Sequence, residues 1–127
     1  MKALFFGLGG VGQRHLRNLK ALNPGCQVAA VRHKGRTFEI SNDLKMDETV
    51  NIVEKYNVEV LPDMAAGLAF GPDLAVVANP SAKHVNTCLP LLDAKIPVFL
   101  EKPAATNRGD FQALSAASAA SPNSYDA

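Results

Sequence analysis

The chain of 127 residues is 47% hydrophobic and 20% charged, the size and balance of one soluble globular domain. Two cysteines are too few for a disulfide scaffold, no apolar run approaches the ~18 residues of a membrane span, and MKALFFGLGG carries no signal-peptide cleavage pattern, which argues for a reduced, cytoplasmic setting and against any membrane role. The formal net charge of +1 hides an asymmetry, because residues 1–38 hold seven bases and no acid while residues 39–127 hold all twelve acids and six bases.

In chain order, residues 2–6 (KALFF) form an apolar run that ends in glycine and reads as a buried strand. GLGGVG at positions 7–12 is a turn with little side-chain bulk, and residues 13–22 place Leu16, Leu19 and Leu22 on one helical stripe, closed by Asn23-Pro24-Gly25. Residues 26–31 are a second strand, and residues 34–47 are polar with a short extended piece near 37–40. A helix over 49–56 is expected, with Val50, Val53 and Tyr56 as its inner face, before a third strand over 58–61. A short helix spans 62–70 and stops at Gly71-Pro72. The fourth strand, 74–78, has no polar residue, so both of its faces are buried. Ser81 is placed to N-cap a helix over 82–94 that contains Pro90, which should kink it. A fifth strand, 97–100, and a helix over 110–119 capped near Asn107 complete the series. Strands alternating with helices predict an α/β fold, a doubly wound parallel sheet of about five strands covered on both faces.

The basic first third of the chain points to an anion. Its bases are spread over several elements with no aromatics interleaved for base stacking, so nucleic acid is not expected. A single phosphate-bearing ligand accounts for the pattern more economically, a solvated charged face being the alternative. Gly7-Leu8-Gly9-Gly10-Val11-Gly12 matches G-x-G-x-x-G in the setting that gives the motif meaning, after a strand and at the opening of a helix. Gly7 permits the tight turn, Gly9 lets backbone approach a pyrophosphate, and Gly12 lets helix and strand pack closely. The free N–H groups of Gly10 and Val11 then face the phosphates at the positive helix end.

A dinucleotide site usually carries an acid ~20 residues further on to hold the adenosine ribose. Here that stretch reads Arg32-His33-Lys34. A carboxylate would repel a 2′-phosphate, whereas a guanidinium can grip one with two hydrogen bonds, so NADP is expected, with NAD as the alternative. Strand four ends in Asn79-Pro80-Ser81 with His84 one turn later, and strand five ends in Glu101-Lys102-Pro103. These share the ligand rim of an open α/β sheet. His84 is either a ligand contact or a first-turn helix histidine. Glu101 and Lys102 are either a surface ion pair or a functional pair. A lysine in that place can donate to a substrate hydroxyl or tune proton transfer. The three histidines and two cysteines show no metal-ligand spacing, no G-x-S-x-G elbow or P-loop lysine occurs, and Cys26 and Cys88 read as small core residues.

Taken together, GLGGVGQRHLRNL and VVANPSAKHVNTCLPLLDAKIPVFLEKPAATN resemble the amino-terminal domain of the Gfo/Idh/MocA oxidoreductases, the family of glucose–fructose oxidoreductase, inositol dehydrogenase and rhizopine catabolism proteins. The resemblance reaches to about residue 118. It implies a Rossmann domain over residues 1–120 that binds NAD or NADP, a tail over 121–127, and hydride transfer to or from a sugar, cyclitol or related small carbonyl or hydroxyl compound. It assigns Gly7, Gly9, Gly10 and Gly12 to the pyrophosphate, with Leu8 and Val11 in the same turn. It assigns Asn79, Pro80 and His84 to the ribose–nicotinamide side and Lys102 to catalysis, while the place of Glu101 at the end of an apolar strand puts it on the cofactor rim. The chain departs from the family in lacking the acidic residue after strand two. Family members are also much longer, with a second α+β domain that supplies most of the substrate pocket, the usual catalytic histidine and the oligomer interface. That domain is absent here, so the chain is either a truncated piece of an enzyme or a stand-alone, non-catalytic nucleotide-binding module. A Rossmann domain for another ligand, such as a nucleotide sugar or coenzyme A, is a third reading. Surface left uncovered by the missing domain would favour self-association into a homo-oligomer.

Overall fold

In the computed structural model, residues 1–32 and 38–120 are described, so the expectations placed on His33, Lys34 and the tail 121–127 lie outside the described residues. The elements in chain order are β1 (Lys2–Phe6), α1 (Gly10–Leu22), β2 (Gln27–Val31), β3 (Phe38–Ile40), β4 (Met46–Asn51), α2 (Ile52–Lys55), β5 (Val58–Leu61), α3 (Met64–Ala69), β6 (Leu74–Val77), a 3-10 turn (Ser81–Lys83), α4 (His84–Asp93), β7 (Val98–Leu100) and α5 (Arg108–Ala120). Five strands form one parallel sheet in the order β5-β2-β1-β6-β7. The chain starts in the middle, winds outward through β2 and β5, then returns to the other side of β1 with β6. This is the doubly wound arrangement that the alternating pattern predicts, and the switch point lies between β1 and β6.

Alternation along β1 divides the interior. Ala3 and Phe5 join Leu16 of α1, Ile52 and Val76 in one cluster. Leu4 and Phe6 join Val77, Val85, Cys88 and Leu91 in the other, with Leu114 of α5. Both faces of β1 are therefore buried, as a central parallel strand requires. Cys26 and Cys88 are free, buried core residues.

The link between β2 and β5 differs from expectation. Residues 49–56 do not form one helix. Thr49 and Val50 lie in β4, which pairs antiparallel with β3 as a hairpin, and only Ile52–Lys55 is helical. The physical reason is local. Thr49 and Val50 are β-branched and suit a pleated ribbon, and the Asn51 side chain accepts hydrogen bonds from the Val53 and Glu54 amides, starting the helix only there. The inward side chain is Ile52, fully buried, while Val50, Val53 and Tyr56 are partly exposed. Ser81 likewise does not cap a helix. It opens a 3-10 turn held by Lys83 N–H to the Pro80 carbonyl, and α4 begins at His84 with no side-chain cap. Asn107 does cap α5, its side chain accepting from the Asp110 amide at 2.8 Å.

Candidate functional site

The turn between β1 and α1 is built by its glycines. Gly7 has φ +97°, and a side chain there would also strike the Ala78 carbonyl and the Asn79 nitrogen at 2.6 Å. It thereby seats the turn against the end of β6. A methyl on Gly12 would lie 2.1 Å from the Gly7 carbonyl oxygen, so only glycine lets α1 start this close to the turn. Gly9 differs. It has extended backbone, φ −75° and ψ −163°, and an added methyl would meet nothing within 4 Å. The fold does not need glycine there, whereas a ligand lying on the backbone would. No side chain caps α1 and no acid stands in its first turn, so its N-terminal amides and the positive end of its dipole are left for an anion.

A cleft of about 960 Å³ opens beside this turn at the switch point, and Gly7, Leu8 and Gly9 form part of its wall. Arg32, just past the end of β2, and Asn79, just past β6, also line it. The sequence placed all five there. Arg32 is half-buried and its amide bonds to the Leu61 carbonyl at 3.0 Å. Partial burial pulls its guanidinium below the ordinary arginine value, and it stays cationic all the same. Asn79 donates through Nδ2 to Thr87 Oγ1 at 3.0 Å, while its Oδ1 is buried without a hydrogen-bond partner. Lys83 is a second cation of the wall, and among the described residues no carboxylate lines the cleft.

Other expected residues stand elsewhere. Gly10 faces the hairpin, 3.5 Å from Ile40 when given a methyl, and Val11 is 47% exposed. Pro80 is exposed, beyond the cleft wall. His84 is fully buried, with Nε2 2.9 Å from the Asn79 carbonyl oxygen and Nδ1 2.9 Å from the Pro103 carbonyl oxygen. Both partners accept only, so each contact is a hydrogen bond when the facing nitrogen carries a proton. His84 ties the end of β6 to the segment after β7 and does not line the cleft.

Glu101 is held by His15 of α1, Nε2 to Oε2 at 2.7 Å, and the His15 ring meets Phe99 edge-on with centroids 5.0 Å apart. Hydrogen bonding from His15, more than its charge, holds the Glu101 carboxyl below the ordinary range. Lys102 is exposed on the loop after β7; the close side-chain partner of Glu101 is His15 of α1, and Lys102 adds a backbone hydrogen bond and a weaker Coulombic attraction.

Sequence reading overlooked Gln13. It is buried in α1, donates through Nε2 to the Leu8 carbonyl at 3.0 Å and accepts from the Ile40 amide at 2.6 Å. Arg17 takes the Ile40 carbonyl at 3.0 Å, so α1 grips the hairpin at both ends of one residue. Ile40, Met46 and Met64 add an apolar wall to the cleft. A polar Gln13 one turn before the stripe residue Leu16 was the available signal. Nothing in the primary structure indicated that the hairpin would fold onto α1.

The family model for the Gfo/Idh/MocA oxidoreductase family, NAD-binding Rossmann fold, matches residues 1–125. The chain belongs to this family. It is 30% identical over 107 residues to an inositol 2-dehydrogenase of Gluconacetobacter diazotrophicus, a match that covers 82% of this chain and 29% of that protein. Among solved structures, myo-inositol 2-dehydrogenase from Lactobacillus plantarum superposes with a TM-score of 0.75 at 24% identity, covering 98% of this chain and 34% of that one. The WlbA (WbpB) dehydrogenase from Thermus thermophilus, solved with NAD and UDP-GlcNAcA, gives 0.71 at 20% identity, covering 98% and 40%. The chain thus spans about a third of the length of these relatives. At such identities the structural likeness establishes the fold, and membership rests on the family model. The domain is a nicotinamide-cofactor-binding Rossmann domain of an oxidoreductase family. Among the described residues, no helix is long and apolar enough to cross a membrane.

Proposed function

We propose that this domain holds NADP in preference to NAD, as the cofactor-carrying part of an enzyme that moves hydride to or from a sugar, cyclitol or related small compound. The observation that carries the reading is the charge of the cleft. Arg32 and Lys83 line it, no carboxylate does among the described residues, and the uncapped glycine turn opens onto it. A diphosphate fits the bare backbone at Gly9 and the uncapped N-terminal end of α1, and a further phosphate on the adenosine ribose fits the Arg32 guanidinium. The buried, unpartnered Oδ1 of Asn79 suits a donor on the ribose or carboxamide. The nicotinamide ring, when bound, supplies the hydride donor or acceptor.

The residues of the chain orient and exclude. Gly9 keeps the backbone bare where phosphate approaches. Glu101, fixed by His15, sets the direction in which the chain leaves β7. Lys102, exposed on that rim, is the group placed to donate a proton to a substrate oxygen or to accept one from it. The names of the relatives, which refer to inositol and to a UDP-sugar acid, support a polyhydroxylated substrate. We read the reaction as completed by protein surface outside this domain, in a cytoplasmic, self-associating enzyme.

Calorimetric titration with NADPH, NADH and coenzyme A tests the reading. NADPH is expected to bind tightest. Tighter binding of NADH overturns the assignment to Arg32, and binding of coenzyme A alone overturns the dinucleotide reading.

A further inference from the structure

Resting on that reading of the cleft, we propose that Thr87 is a positioning residue that fixes the polarity of the Asn79 amide. At this point the cleft accepts a hydrogen-bond donor from its ligand, such as a ribose hydroxyl or a carboxamide N–H, and rejects an acceptor such as a carboxylate oxygen. Thr87 Oγ1 lies 2.9 Å from the Lys83 carbonyl oxygen, which only accepts. A hydroxyl has one proton, so Thr87 gives it to that carbonyl. Lone pairs are what remain on Oγ1, and Asn79 Nδ2, 3.0 Å away, donates to them. The reversed amide would set Oδ1 against an oxygen whose proton is already committed, two acceptors face to face.

Asn79 is therefore held with Nδ2 toward Thr87 and Oδ1 away from it, and that Oδ1 is buried with no partner. Its backbone carbonyl faces His84 Nε2 at 2.9 Å and accepts a hydrogen bond when that nitrogen carries the proton, while Nδ1 stands 2.9 Å from the Pro103 carbonyl oxygen. Main chain and side chain of Asn79 are thus each anchored by a residue of α4, and both Asn79 and Thr87 line the cleft. A buried acceptor with no donor is penalised. A ligand that brings a donor removes the penalty, and one that brings an acceptor adds repulsion.

Thr87→Val keeps the shape of the side chain and removes the hydroxyl, Thr87→Ala removes it without branching, and Thr87→Ser restores it. In the 127-residue chain without ligand, the Asn79 Nδ2 proton bonded to Thr87 is expected to exchange slowly with solvent. That protection should be lost in the valine and alanine variants and kept in the serine variant. Equal exchange in all four proteins overturns the proposal whether or not a nucleotide binds. In titrations with NADPH, the valine variant is expected to bind roughly 5- to 30-fold more weakly than the parent, and the serine variant within about threefold. Undiminished affinity in both Thr87→Val and Thr87→Ala overturns the donor-reading role. A parent chain that binds neither NADPH nor NADH overturns the nucleotide reading and the ligand half of this proposal. The slow proton still decides the side-chain half.

Discussion

The three motif glycines make different demands, and methyl substitution separates them. At Gly9 the backbone is in the extended region open to any residue, and the added carbon has no neighbour within 4 Å. Gly9→Ala costs up to ~1 kcal/mol for replacing glycine at an N-cap and recovers ~0.4–1 kcal/mol from the stiffer unfolded chain. The net change in stability is within about 1 kcal/mol, or roughly 4 °C for a domain of this size. At Gly12 the same methyl stands 2.1 Å from the Gly7 carbonyl oxygen, a backbone atom that cannot swing aside. Relief requires moving α1 off the turn, an overpacking cost of about 3 kcal/mol, which lowers the melting temperature by roughly 12 °C. Binding should show a different order. The methyl on Gly9 intrudes where a pyrophosphate meets the backbone, so Gly9→Ala should lose at least ~10-fold in NADPH affinity while remaining folded. Thermal unfolding read by circular dichroism, beside calorimetric titration of the same samples, decides the matter. If Gly9→Ala binds NADPH as the parent does, the pyrophosphate does not lie on this turn. If it melts with Gly12→Ala, the open space at Gly9 is not there.

Arg32→Asp should narrow or reverse a preference for NADPH over NADH, by about 10- to 100-fold in the ratio of dissociation constants, because a two-bonded phosphate contact is replaced by repulsion; an unchanged ratio removes Arg32 from the site. Glu101 has a depressed carboxyl pKa, so what it adds to stability is present above the ordinary carboxylate range and is lost as pH falls through the depressed value. In His15→Gln the Glu101 carboxyl, followed by carbon NMR, should titrate closer to the ordinary range, and no movement refutes the pairing. Ile52→Ala should destabilise the fold by about 2–5 kcal/mol in urea unfolding, as for other fully buried aliphatic side chains, whereas a change under ~1 kcal/mol would place Ile52 outside the core. Burial pushes the Cys88 thiol up to about 11, so alkylating reagents at pH 8 should leave it unlabelled until the protein unfolds; rapid labelling of the native protein contradicts its burial.

The primary structure determined by itself what local chemistry and alternation decide. Five apolar runs with helices between them specify a two-sided parallel sheet, because such strands must bury both faces. The glycine spacing specifies the bare turn, and Arg32 in place of an acid specifies the sign of charge beside it. What depends on residues distant in the chain was decided only by the folded state. The hairpin of β3 and β4 folds onto α1 because Gln13 and Arg17 hold the main chain of Ile40, 27 and 23 residues away. Its strand over Thr49 and Val50 displaced an expected helix, since a ribbon partner outweighs a short helical pattern. The same holds on the rim. Glu101 pairs with His15, 86 residues before it, and His84 is enclosed between two carbonyl groups. A histidine or glutamate shortly after a strand reads the same whether it faces a ligand or its own backbone. Only packing of the strand ends against one another chooses, because that packing decides which polar atoms are left for solvent or ligand and which must find partners inside.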